Sequence, residues 1–135
     1  MGVRIIKNLA ASAELFWSTR RGKTPQLVSQ LNKLALKDKI NVSEVIDAID
    51  QLQQALVKTE CGGVVLIIDE LGKFLEYEAR HYGANDIYLL QALAEHACKG
   101  HQVNLMMFVL LHQSFEQYAK GLGESLKNEW SKVQG

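Results

Sequence analysis

The sequence predicts an α/β protein, a short parallel sheet flanked by helices, with a helical N-terminal third. Three observations predict it. Between Ile6 and Leu56 the apolar residues recur at the i, i+3, i+4, i+7 spacing of one helical face. Two later runs, residues 64–68 and 103–111, are continuously apolar or nearly so and rich in strand-forming residues. Such runs mark strands of a parallel sheet whose two faces are both covered. Between them the apolar spacing is helical again, so the second half reads strand, helix, strand.

A chain of 135 residues has room for one domain and one core of ordinary size. We therefore expect a single domain, with residues 1–60 as a helical portion and 61–135 as a βαβ portion. Apolar residues make up 47% and charged residues 22%, the balance of a globular chain rather than a disordered one. Fifteen basic residues cancel fifteen acidic ones, so no overall field draws nucleic acid or an anionic membrane. No apolar run reaches the roughly 18 residues that cross a bilayer, and the start lacks a signal-peptide layout. Two isolated cysteines, Cys61 and Cys98, make no disulfide framework. A reducing, cytoplasmic setting is the expectation.

The elements follow in order. Ile6, Leu9, Ala10, Ala13, Phe16 and Trp17 share one face of a first helix. Ser18, Thr19, Arg20, Arg21, Gly22 and Lys23 break that period and read as a polar loop. Thr24 before Pro25 predicts a second helix, the hydroxyl as its cap and proline in its first position. Its buried side is Leu27, Val28, Leu31, Leu34 and Ala35. Asn41 with Glu44 three residues later predicts a capping box, followed by the face Val45, Ile46, Ile49, Leu52 and Leu56.

At Gly62 and Gly63 the texture changes to the run Val64, Val65, Leu66, Ile67, Ile68. A helix with Ile87, Leu90, Leu93, Ala94 and Ala97 on its apolar face comes next, capped by Asp86 and ended near Gly100. The second strand, 103–111, completes a βαβ unit with a right-handed crossover. Ser114 can cap a further helix through Tyr118, and residues 124–133 look helical. No repeat, low-complexity segment or linker divides the chain.

In a parallel α/β sheet, ligands bind beyond the carboxyl ends of the strands. The first strand delivers Asp69 and Glu70 there, and the second delivers His112 and Gln113. The run Val64-Val65-Leu66-Ile67-Ile68-Asp69-Glu70 resembles the Walker B strand of P-loop NTPases, in the ASCE-type branch that places glutamate directly after aspartate. The next strand, ending in His112 and Gln113, resembles their sensor strand. The longer text from Ile68 to Tyr77, and Glu129-Trp130-Ser131-Lys132-Val133-Gln134-Gly135, are similar to large bacterial ATP-binding proteins of the AAA-like type. The resemblance covers residues 60–135. It implies that Asp69 holds Mg²⁺ through water, that Glu70 is the general base, and that Gln113 or His112 senses the γ-phosphate of ATP. A single well-placed carboxylate suits a hard cation that keeps most of its waters, and phosphoryl transfer needs positioning more than covalent chemistry.

The phosphate cradle is the missing part. A P-loop needs a strand, then G-x-x-x-x-G-K-[ST], then a helix. Gly22-Lys23-Thr24 invites the match, yet Trp17 stands where the first glycine belongs, and the preceding period is helical. Pro25 also falls where the loop needs N–H donors. The expectation is therefore either a piece of a larger ATPase, with the text stopping at Gly135 inside a continuing motif, or a free-standing descendant without the first βα unit. Losing that unit would bare the edge of strand 103–111, which the N-terminal helices or a second copy would then cover.

Other candidates carry less. His96, Cys98 and His101 match no standard zinc spacing, and on a helix His96 and Cys98 point apart. His81 and Tyr82 belong to a polar loop, and no G-x-S-x-G elbow supports a hydrolase. Arg4, Lys7, Arg20, Arg21 and Lys23 beside Phe16 and Trp17 suggest single-stranded nucleic acid, but the aromatic pair completes a core stripe. Tyr77, Tyr82 and Tyr88 suit a partner surface. Two functions are thus expected in order: a fragment or reduced relative of an ATP-hydrolysing P-loop NTPase, weak or inactive alone, or a noncatalytic interaction and oligomerisation module of an accessory or mobile-element protein.

Overall fold

The computed structural model describes residues 1–69 and 85–110. These form α1 (Gly2–Ser18), α2 (Gln26–Leu34), α3 (Val42–Leu56), β1 (Gly63–Ile68), α4 (Asn85–Cys98) and β2 (Asn104–Val109). Four helices with a two-stranded parallel sheet make a small α/β fold. The chain divides into two compact units, Met1–Gly62 and Gly63–Gly135. No described helix is long and apolar enough to cross a membrane.

In the first unit each of the three helices packs on the other two. The expected stripe of α1 is buried at Ile6, Leu9, Ala10, Ala13 and Trp17, and Ile5 joins it. Phe16 lies at the margin, its ring edge-on to Trp17 at 4.9 Å. Leu27, Val28 and Leu31 of α2 and Val45, Ala48, Ile49, Leu52 and Leu56 of α3 complete this core. Gln53 is buried with them, a polar residue that apolar periodicity does not flag.

The helix starts differ from one another. Asn41 caps α3 as expected: its Oδ1 accepts the Glu44 N–H at 2.8 Å, and Glu44 Oε1 accepts the Asn41 N–H at 3.3 Å. The start of α2 corrects the expectation. Pro25 is itself the N-cap, extended at ψ 148°, and no side chain caps the helix. The α2 boundary thus falls one residue later, and Thr24 precedes the cap. Proline's fixed φ near −61° serves an extended residue as well as a helical one, so the dipeptide leaves both registers open. Likewise α4 includes Asn85, so Asp86 sits within the helix and not at its cap.

In the second unit β1 and β2 are parallel and hydrogen-bonded, in register from Gly63 opposite Asn104 to Ile68 opposite Val109. α4 packs against β2. It buries Ile87, Leu89, Leu90, Leu93 and His96, while Ile68, Val103 and Leu105 are buried on the sheet side.

The expectation that both sheet faces are covered is corrected. Side chains alternate across a strand. Residues 64, 66 and 68 with 105, 107 and 109 are buried or half-buried, whereas Val65, Ile67, Met106 and Phe108 are exposed. An unbroken apolar run states that a strand avoids charge on either side. It does not state which of the described residues cover each face.

Candidate functional site

The site that the sequence points to lies where β1 and β2 end. Ile68 is buried, and the next residue, Asp69, emerges exposed from the carboxyl end of β1. Leu110, the residue after β2, donates its N–H to the Ile68 carbonyl at 2.9 Å. That bond joins the last residue of β1 to the first residue past β2 and holds the two chain exits side by side. Residues leaving β1 and β2 therefore start from one sheet edge, the position at which open α/β sheets bind ligands.

Asp69 is the only expected site residue within the described part of the chain; Glu70, His112 and Gln113 lie outside it, as do His81, Tyr82 and the Ser114 cap. The exposed Asp69 carboxylate, one residue past β1, is a hard oxygen donor of the kind that can hold a cation retaining its own waters.

The other motif places its residues elsewhere. Gly22, with φ +108°, and Lys23 and Thr24 follow α1, and Trp17 is buried in that helix. The segment is helix, loop, helix, so it lacks the strand that aims a phosphate loop. Among the described residues no glycine-rich loop joins a strand to a helix.

Of His96, Cys98 and His101, the structure brings the two histidines together and sets the cysteine apart. His96 is buried while Cys98 is exposed, so the two do not face one ligand. His101 Nε2 lies 2.9 Å from the His96 carbonyl oxygen, which accepts the bond, and the two rings stand 4.5 Å apart. His101 thereby ties the turn after α4 to the helix end. The same carbonyl also accepts the Lys99 N–H at 3.2 Å, so the imidazole is a second donor at this helix end. The basic loop has a similar explanation: the Arg20 guanidinium sits 4.9 Å from the Phe16 ring centre, and Trp17 is in the core. Phe16 is half-buried beside that guanidinium.

Sequence reading missed one feature of this unit, the exposed apolar face carrying Val65, Ile67, Met106 and Phe108. Alternation of side chains would have grouped these four, but their exposure depends on what packs above them. The chain was compared with family models, with curated proteins and with solved structures, and none matches.

Proposed function

We propose that this chain is the Walker B to sensor portion of an ATP-binding, P-loop NTPase-like protein, of AAA-like type, acting as part of a larger ATPase or as a reduced relative of one. The supporting observation is the parallel pairing of β1 with β2, which brings Asp69 and the exit of the second strand to one edge. In this reading Asp69 holds Mg²⁺ through water, Glu70 takes the proton of the attacking water, and Gln113 or His112 contacts the γ-phosphate. Bound Mg²⁺ supplies charge neutralisation on the phosphate oxygens. The chain's own part is to hold one carboxylate rigidly and to place a base beside it. Among the described residues no phosphate cradle exists, so hydrolysis by this chain alone is weak or nil.

Thermal stabilisation by ATP that needs Mg²⁺ and disappears in Asp69→Ala tests the reading. No shift at millimolar ATP, with a melting temperature that rises with protein concentration, overturns it in favour of a second reading. That second reading is a noncatalytic interaction and oligomerisation module. It is favoured by the exposed sheet face and by the outer edge of β2, which pairs with no third strand among the described residues. A nucleic-acid role would require binding that weakens steeply with salt.

A further inference from the structure

We propose that the exposed face of the β1–β2 sheet is a dimer interface for a second copy of this chain. The inference rests on the oligomerisation reading for the kind of partner, and it assigns the contact to the sheet face instead of the strand edge. It does not depend on nucleotide.

The face is built in rows by the strand register. Val65 stands opposite Met106 and Ile67 opposite Phe108, and Leu110 continues the same side. These five are 57%, 53%, 62%, 50% and 50% exposed, in that order. At one end the outward row is Gly63 and Asn104, and at the other Asp69 lies beside Leu110. The centre is therefore apolar, with an aromatic ring and a methionine, and the polar residues stand at its ends. That is the anatomy of a protein interface, an uncharged core with a polar rim. Parallel sheets are normally covered on both sides, whereas among the described residues this face is half-exposed or more at all five positions.

Size decides whether a second copy suffices. Half-exposure of the four central side chains, Val65, Ile67, Met106 and Phe108, leaves about 400 Å² per chain, within the range of the largest apolar patch on a typical monomer. Two such faces together remove about 800 Å² from water, the size of a weak, transient association. The expected dimer is therefore weak, with a dissociation constant in the micromolar range.

Shape decides why the partner is the same chain. β1 presents short, β-branched side chains, and β2 presents long, flexible ones. A two-fold axis parallel to the strands lays the β2 row of one copy over the β1 row of the other. Phe108 and Met106 then meet Ile67 and Val65 of the second copy, long against short, in both halves of the contact at once. Such a surface is self-complementary, as an isologous dimer requires. Two sheets stacked this way sit about 10 Å apart with aligned strands, an ordinary sandwich spacing.

The test is the mass of the full chain by light scattering and sedimentation equilibrium over a concentration series, with Ile67→Lys and Phe108→Glu as variants. The wild type should reach twice 15.1 kDa at high concentration and fall to one copy on dilution. Each variant should remain a single copy with unchanged far-UV circular dichroism, and mixing the two should restore the dimer, because Lys and Glu face each other across the axis. The uncharged variants Ile67→Thr and Phe108→Ser, which put no charge on a strand, should each weaken the dimer about tenfold. A wild type that stays one copy at hundreds of micromolar overturns both the interface and the oligomerisation reading. A wild-type dimer whose affinity is untouched by all four substitutions overturns the face and leaves the strand edge.

Discussion

Glu44 binds Lys37 across the turn between α2 and α3: its Oε2 accepts from Lys37 Nζ at 2.6 Å while Oε1 accepts from the Asn41 backbone at 3.3 Å. One carboxylate thus closes the capping box and anchors the end of the preceding helical segment. Asn41→Ala removes the acceptor for the Glu44 N–H and should cost about 1 kcal/mol of stability, read from denaturant or thermal unfolding. Ser43→Ala should cost little, because the Ser43 hydroxyl only shares the same Asn41 Oδ1.

The same carboxylate sets a pH dependence. The hydrogen bond from Lys37, and then that from the Asn41 N–H, hold the Glu44 carboxyl below its ordinary pKa. As pH falls the unfolded chain takes up this proton first. The contribution is therefore complete above the ordinary carboxylate value of about 4.3 and is lost as pH drops through the lower folded value. Thermal melts from about pH 6 to about pH 3 should show a smaller loss in Glu44→Gln than in the wild type.

Three glycines should respond differently to alanine. At Gly63 a Cβ would stand 3.1 Å from the Asn104 carbonyl, a backbone atom in the first pair of the sheet, so Gly63→Ala should destabilise by about 1 kcal/mol. Gly62 has nothing within 4 Å and no positive φ, and Gly62→Ala should be neutral or stabilise by about 0.5 kcal/mol. Gly22 also has open space, but its φ of +108° strains any L side chain, and Gly22→Ala should cost about 1 kcal/mol. Unfolding of the three variants side by side checks the order.

Two leucines near the end of α2 separate core from surface. Leu31 is buried at 2% exposure and Leu36 is 84% exposed. Leu31→Ala should cost about 2–5 kcal/mol through the cavity it leaves, and Leu36→Ala should stay within about 0.5 kcal/mol of the wild type. Equal effects would mean that the three-helix core is not packed as described.

Much of this architecture is legible in the residues, for identifiable reasons. The stripes of α1 and α3 and the capping box at Asn41 rest on local rules, and local rules survive folding. The parallel pairing of β1 with β2 follows from a helix lying between two apolar runs. The start of α2 was misplaced because Pro25 suits an N-cap and a first helical position equally. The open sheet face was hidden because Val65 and Ile67 are as apolar as Leu66 and Ile68; only tertiary packing tells the two sets apart. Of the site, only the place of Asp69 is described, one residue past the end of β1, and it follows from the length of the apolar run before it.

The Asp69 carboxylate gives the nucleotide reading its sharpest consequence. Ligand binding to the folded state alone stabilises by RT ln(1 + [L]/Kd), about 1.4 kcal/mol when free ligand is ten times Kd. In this reading the cation bridges ATP to Asp69, so the shift should require Mg²⁺ and vanish with chelator. Asp69→Asn keeps the shape and removes the charge, and it should lose the shift as fully as Asp69→Ala does. Lys23→Ala should leave it unchanged, because Lys23 follows α1 and not a strand. Loss of the shift in Lys23→Ala with retention in Asp69→Asn would move phosphate binding to the loop before α2. It would also remove the sheet edge from the mechanism.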